Sequence, residues 1–147
     1  MENILQLIMA FLGSLGFALM FNTKRDILFP ACLGGMLAWL VYLIALKKGC
    51  DPFLSGFLAS LFTGLYSECM ARLYKKPATI FIAIGEIPLI PGSGLYYSIY
   101  YLLLQNLERS LYYARYTLLF ASCMSAGIIL MNIVFSQSMD QIHKMKK

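Results

Sequence analysis

The chain has 147 residues, of which 60% are hydrophobic and only 13% charged, and its mean hydropathy is +0.71. That composition excludes a soluble globular domain and describes an integral membrane protein. The formal net charge of +5 comes from lysines and arginines set in short clusters between apolar runs, a pattern that membrane topology requires and nucleic-acid binding does not.

The first apolar run, 4–21, is just long enough, at about 1.5 Å per residue, to cross a hydrocarbon core of about 30 Å. It opens without a basic n-region or a small-residue cleavage site, which reads as a retained span and not a signal peptide. Asn22, Lys24, Arg25 and Asp26 end it. The second run, 27–46, carries Pro30 near its start, where a missing amide is tolerated, and is closed by Lys47, Lys48, Gly49 and Asp51. The third, 53–71, opens after Pro52 and is less apolar, holding Ser55, Ser60, Thr63, Ser67 and Glu68 before Arg72, Lys75 and Lys76.

The fourth run, 77–104, is too long for one straight perpendicular span and is interrupted by Pro88, Pro91, Gly92, Ser93 and Gly94. Proline lacks the amide a helix interior needs, and glycine lacks the side chain that favours helical dihedrals, so two short helices around an unwound centre are expected. A polar, tyrosine-rich connection, 108–116, leads to a fifth run, 117–135, and a basic tail with Lys144, Lys146 and Lys147. The expected fold is all-α: a single integral membrane helical bundle over 1–147, of about five transmembrane helices with the fourth broken at the Pro-Gly motif. If all five cross, the positive-inside rule sets the N-terminus outside and the C-terminus in the cytoplasm. A re-entrant fourth segment would weaken the charge bias.

Unwound backbone inside a membrane persists only where protein buries it or a watery cavity satisfies it, so the break is the first candidate site. Ser93 is placed to cap a helix beginning near Gly94, whose free amides would bind a carboxylate. Pro91, Gly92, Ser93 and Gly94, with Tyr96 and Tyr100 on one helical stripe beyond them, are the candidate substrate-binding residues. A packed kink and an interfacial tyrosine belt are the plainer alternatives. Glu86, Glu68 and Arg72 are the candidate coupling residues. Glu86 would carry a proton or face a cation, its alternative being a buried hydrogen bond to the unwound backbone. Glu68 and Arg72 have the spacing of an intrahelical ion pair. They continue a ridge of Gly56, Ser60 and Gly64 at four-residue steps, which predicts a closely packed helix partner in this chain or another.

Enzyme chemistry finds no support. Gly92, Ser93 and Gly94 resemble the serine loop of intramembrane proteases, but the one histidine, His143, lies beyond the last span. Cys32, Cys50, Cys69 and Cys123 stand singly, without metal-ligand or disulfide spacing. No cofactor, metal or nucleotide loop is read from the chain, so energy would come from an ion gradient.

GFALMFN (16–22) followed by Arg25, GLYSECMARLYKKPAT (64–79) and IPLIPGSGLY (87–96) together resemble the threonine/serine exporter family, in its small-subunit type, over nearly the whole chain. The resemblance implies a subunit of a secondary, proton-coupled exporter of threonine and serine in the cell inner membrane. It also implies a larger membrane subunit of the same family as partner, beside a possible homo-oligomer. Dicarboxylates such as succinate are the alternative cargo, and a non-transporting scaffold or regulatory subunit is the alternative class. Glu86 departs from the family pattern, which leads one to expect an apolar residue before Ile87.

Overall fold

The computed structural model describes the backbone of residues 2–145, with the side chains of residues 2–135 and of Gln137. The chain is helical throughout this range: α1 (Glu2–Met20), α2 (Arg25–Lys47), α3 (Pro52–Tyr74), α4 (Ala78–Gly85), a 3-10 turn (Ile87–Leu89), α5 (Gly92–Leu103) and α6 (Leu107–Met145). The 108–116 stretch, expected to connect spans, is instead the first turns of α6. Asn106 accepts a hydrogen bond from the Arg109 amide at 3.2 Å, and no proline or glycine follows until Gly127, so nothing stops the helix once capped.

Helices α1, α2, α3 and α5 stop by one device. Asn22, Gly49, Lys75 and Gln105 have φ of 52°, 86°, 52° and 57°. The next residue's amide in each case reaches back to a carbonyl five positions earlier: Thr23 to Ala18, Cys50 to Ala45, Lys76 to Ala71 and Asn106 to Tyr101, at 2.9–3.2 Å. Left-handed closure of this type satisfies orphan carbonyls and reverses the chain within a few residues. The next helix can then start at once: Asp51 Oδ1 caps α3 by accepting from the Leu54 amide at 3.0 Å, with Pro52 in the first helical position.

Helix α3 lies at the centre, packed on α2, α4 and α6, while α1 covers α2 and α5 covers α6. Although α3 equals α2 at 23 residues, it is less apolar, because its polar side chains point inward: Ser55, Ser60, Thr63 and Ser67 are at most 1% exposed. Two of these hydroxyls return their hydrogen bonds to their own helix, Ser55 to the Asp51 carbonyl and Thr63 to that of Ala59. Small inward residues let backbones approach in a medium as apolar as leucine itself. Gly56 meets the Phe120 ring, Gly64 meets Met131, and Gly127 lies against the Phe57 carbonyl, so the ridge read from the sequence is filled by α6.

These contacts run in one direction, Phe53 on Tyr116 at one end and Arg72 over the Phe135 ring at the other, so α3 and α6 are parallel. The segment between them therefore joins opposite ends of the bundle. One end gathers Lys24, Arg25, Arg72, Lys75 and Lys76; the other holds Lys47, Lys48 and the start of α6. The stretches Glu2–Met20, Arg25–Lys47 and Leu107–Phe135 are long and apolar enough to cross a membrane, as is the pair Ala78–Leu89 and Gly92–Leu103 taken together across a 59° bend. The molecule is a helical membrane bundle. The tail residues Lys146 and Lys147, and the side chains of His143 and Lys144, lie outside the described residues.

Two apolar clusters divide the interior. Ala18, Ile27, Ala31, Cys32, Ala71, Phe81 and Ile84 pack towards the basic end. Ala38, Ala59, Leu89, Phe120 and Met124 pack towards the other.

Candidate functional site: a buried carboxylate beside a broken helix

The break has two steps. Helix α4 ends at Gly85, since Pro88 has no amide to donate to the Ile84 carbonyl, and the Gly85 Cα lies so close to Thr63 of α3 that an added Cβ would come within 2.8 Å of the Thr63 methyl. The chain then tightens into the 3-10 turn around Pro88, whose ring packs near Gly35 of α2. At Pro91, with φ −75° and ψ 61°, the Gly92 amide donates back to the Ile90 carbonyl at 2.7 Å, an inverse γ-turn that swings α5 away. The first helical bond of α5 runs from the Leu95 amide to the Pro91 carbonyl, at 3.2 Å.

Ser93 does not cap this helix. Pro91 itself holds the N-cap position, its carbonyl accepting from the Leu95 amide, so α5 begins at Gly92 and Ser93 is already within the first turn with its side chain exposed. Pro91 is half-buried, Gly92 exposed, and Gly94 buried against Thr117 of α6. Tyr96 and Tyr100 stack on each other at 6.0 Å and stand 62% and 43% exposed. Tyr97 and Tyr101 form the neighbouring stripe and pack on Tyr113 of α6. Gly92, Ser93, Tyr96 and Tyr100 therefore form an outward face that this chain does not enclose, with Pro91 at its edge, whereas Gly94 belongs to the α5–α6 contact.

Glu86 points the other way. It follows the last residue of α4, 7% exposed, and its Oε2 accepts from the Ser60 hydroxyl of α3 at 2.9 Å. The partner is thus a helix hydroxyl and not the unwound backbone. Its Oε1 is buried without a partner among the described residues, as is Ser67 Oγ. Ser14 of α1 donates to the Ile84 carbonyl at 3.3 Å, tying a third helix into the same polar layer. This layer lies between the two apolar clusters. An acid in such a place is expensive unless protonated, paired or hydrated, and the unpartnered Glu86 Oε1 leaves that cost only partly met.

Glu68 and Arg72 are elsewhere. Their ion pair closes at 2.6 Å at the partly exposed end of the α3–α6 seam, beside the Phe135 ring near the basic end, and the same guanidinium nitrogen also donates to the Glu68 carbonyl. The three coupling candidates thus fall in two places, with Glu86 alone in the interior. Ser14 was not named by the sequence reading; Thr63 and Ser67 entered only as polar residues of the third run, and Ser60 as one of these and as a small ridge residue. The spacing of Ser60, Thr63 and Ser67, three and then four residues apart, carried the signal that they share one face with Glu86's donor.

The family model described as "Threonine/Serine exporter, ThrE" matches residues 6–134. The chain belongs to the threonine/serine exporter family. No curated protein and no solved structure matches it. The family match runs from the first turns of α1 to the membrane-length part of α6, so every residue of the polar layer and of the break lies inside it. The family is one of transporters, and the matched region holds the buried carboxylate, its hydroxyl donor and the helix start.

Proposed function

We propose that this chain is a subunit of a proton-coupled exporter of threonine and serine in the cell inner membrane, working by antiport. The observation that carries the reading is Glu86: a carboxylate sealed between two apolar clusters, with one oxygen bound by Ser60 and the other unpartnered. A group held this way can take up and lose a proton as the clusters on either side part in turn, which is what coupling to a gradient requires. The choice of threonine and serine over a dicarboxylate such as succinate rests on the family, whose model is described as a threonine/serine exporter.

The exposed break supports a partner. The Gly92 amide is returned to the Ile90 carbonyl, but the Ser93 amide in the exposed first turn of α5 has no backbone partner among the described residues, and lipid offers no acceptor. A larger subunit of the same family, seated on Gly92, Ser93, Tyr96 and Tyr100, would complete a substrate site between the two chains. The parallel course of α3 and α6 supports five crossings, and the basic end then faces the cytoplasm with the N-terminus outside.

The test is efflux from dipeptide-loaded, exporter-deficient cells expressing this chain, its candidate partner, or both, with succinate release followed in parallel. Threonine and serine efflux only from cells holding both chains is expected. Succinate release alone would overturn the cargo, and no flux from cells with verified membrane expression of both chains would turn the reading towards a scaffold.

A further inference from the structure

We infer that the basic end of the bundle holds a site for an anionic phospholipid, with its head group on Lys24 and Lys76 and an acyl chain against α4. A cavity of about 630 Å³ opens there, between the α1–α2 loop and α4. Its floor is apolar, made by Phe21, Ile27, Ile80 and Ala83, and its rim carries Lys24 and Lys76. The floor descends along α4 from the helix start at Ala78 to Ile84, about 9 Å at helical rise, away from the charged rim and into the hydrocarbon region. Phe21 is 54% exposed and Ala83 is exposed as well, so the cavity opens sideways towards lipid and is no sealed interior chamber.

The charges select the occupant. Lys76 is shared with Asp26 across 3.5 Å in a pair whose acid is more than half exposed, and the Lys24 ammonium has no partner among the described residues. Two ammonium groups over an apolar wall match a phosphate head joined to a hydrocarbon tail. A free anion would leave the wall wetted, and a choline head would bring a third cation to the rim. Basic pockets at helix ends on one side of a membrane protein bind anionic head groups for this reason. The site is separate from the polar layer around Glu86 and does not depend on which solute crosses.

The test uses the full chain, purified and delipidated in detergent, with bound lipid counted by native mass spectrometry. The probes are phosphatidylglycerol, phosphatidylcholine of the same acyl chains, and glycerol phosphate. Phosphatidylglycerol is expected to bind in preference to phosphatidylcholine. The double change Lys24→Gln with Lys76→Gln is expected to weaken it about tenfold. Ala83→Trp, which fills the cavity from an exposed position, is expected to displace it, whereas Lys48→Gln at the opposite end leaves it unchanged. Equal binding of both lipids, competition by glycerol phosphate at the same concentration as the lipid, or retention of lipid by both Ala83→Trp and the double variant would overturn the assignment.

Discussion

At Glu86 the chain accepts a cost that its surroundings do not fully offset. Ser60 supplies one hydrogen bond to a carboxyl with two oxygens, and the Thr63 hydroxyl next along α3 is committed to the Ala59 carbonyl. Replacing Glu86 by Gln keeps shape and the Ser60 contact but fixes the group as neutral. If Glu86 couples protons to export, Glu86→Gln abolishes efflux driven by a pH gradient while exchange of labelled against unlabelled threonine across proteoliposomes continues. Loss of both, in protein that still elutes as a single species, would instead make Glu86 a binding or structural residue. Ser60→Ala removes the donor and leaves Glu86 Oε2 orphaned as well, a cost of about 1–3 kcal/mol to be read as a lowered thermal unfolding temperature in detergent. Unchanged unfolding would mean that water already serves this oxygen.

Among the elements, the broken segment decides most. Its existence was legible from Pro88, Pro91 and the glycines, since those residues forbid a continuous helix whatever surrounds them. The inward face of Glu86 was not, because burial depends on α3 presenting Ser60 opposite it, a contact between residues 26 apart in the chain. The Ser93 cap failed for a local reason: the γ-turn at Pro91 puts that residue's carbonyl in the N-cap position, which moved the first turn two residues earlier. The two neighbouring glycines now separate packing from function. Gly94 is pressed on Thr117, so Gly94→Leu forces α5 off α6, at about 1–3 kcal/mol of overpacking, and lowers the unfolding temperature. Gly92 has open space where a side chain would go, so Gly92→Leu is expected to fold and insert normally yet abolish efflux by blocking the outward face. Unfolding of the Gly92 variant would assign the break to packing, and normal efflux from it would remove the proposed substrate face.

For the whole molecule, the parallel pairing of α3 and α6 sets the path of everything between them. Phe53 meets Tyr116 at one end and Arg72 meets Phe135 at the other, so a chain that leaves α3 at Tyr74 must return to the start of α6 at the opposite end. A re-entrant α4–α5 hairpin would return it to the same end and make α3 and α6 antiparallel, undoing the contacts of Gly56, Gly64 and Gly127 together. The geometry therefore supports five crossings, a count the hydropathy of α3 alone would not suggest, because its polar residues are turned inward. Lys24, Arg25, Arg72, Lys75 and Lys76 share one end with the direction in which α6 leaves, and the positive-inside rule predicts that this end faces the cytoplasm. In a background lacking the four native cysteines, Lys48→Cys and Glu108→Cys are expected to react with an impermeant maleimide applied to intact cells. Lys75→Cys is expected to react only after the membrane is opened. Lys75 and Glu108 labelling from the same side would mean that the fourth segment turns back, and labelling of Lys75→Cys alone in intact cells would invert the orientation while keeping the crossings.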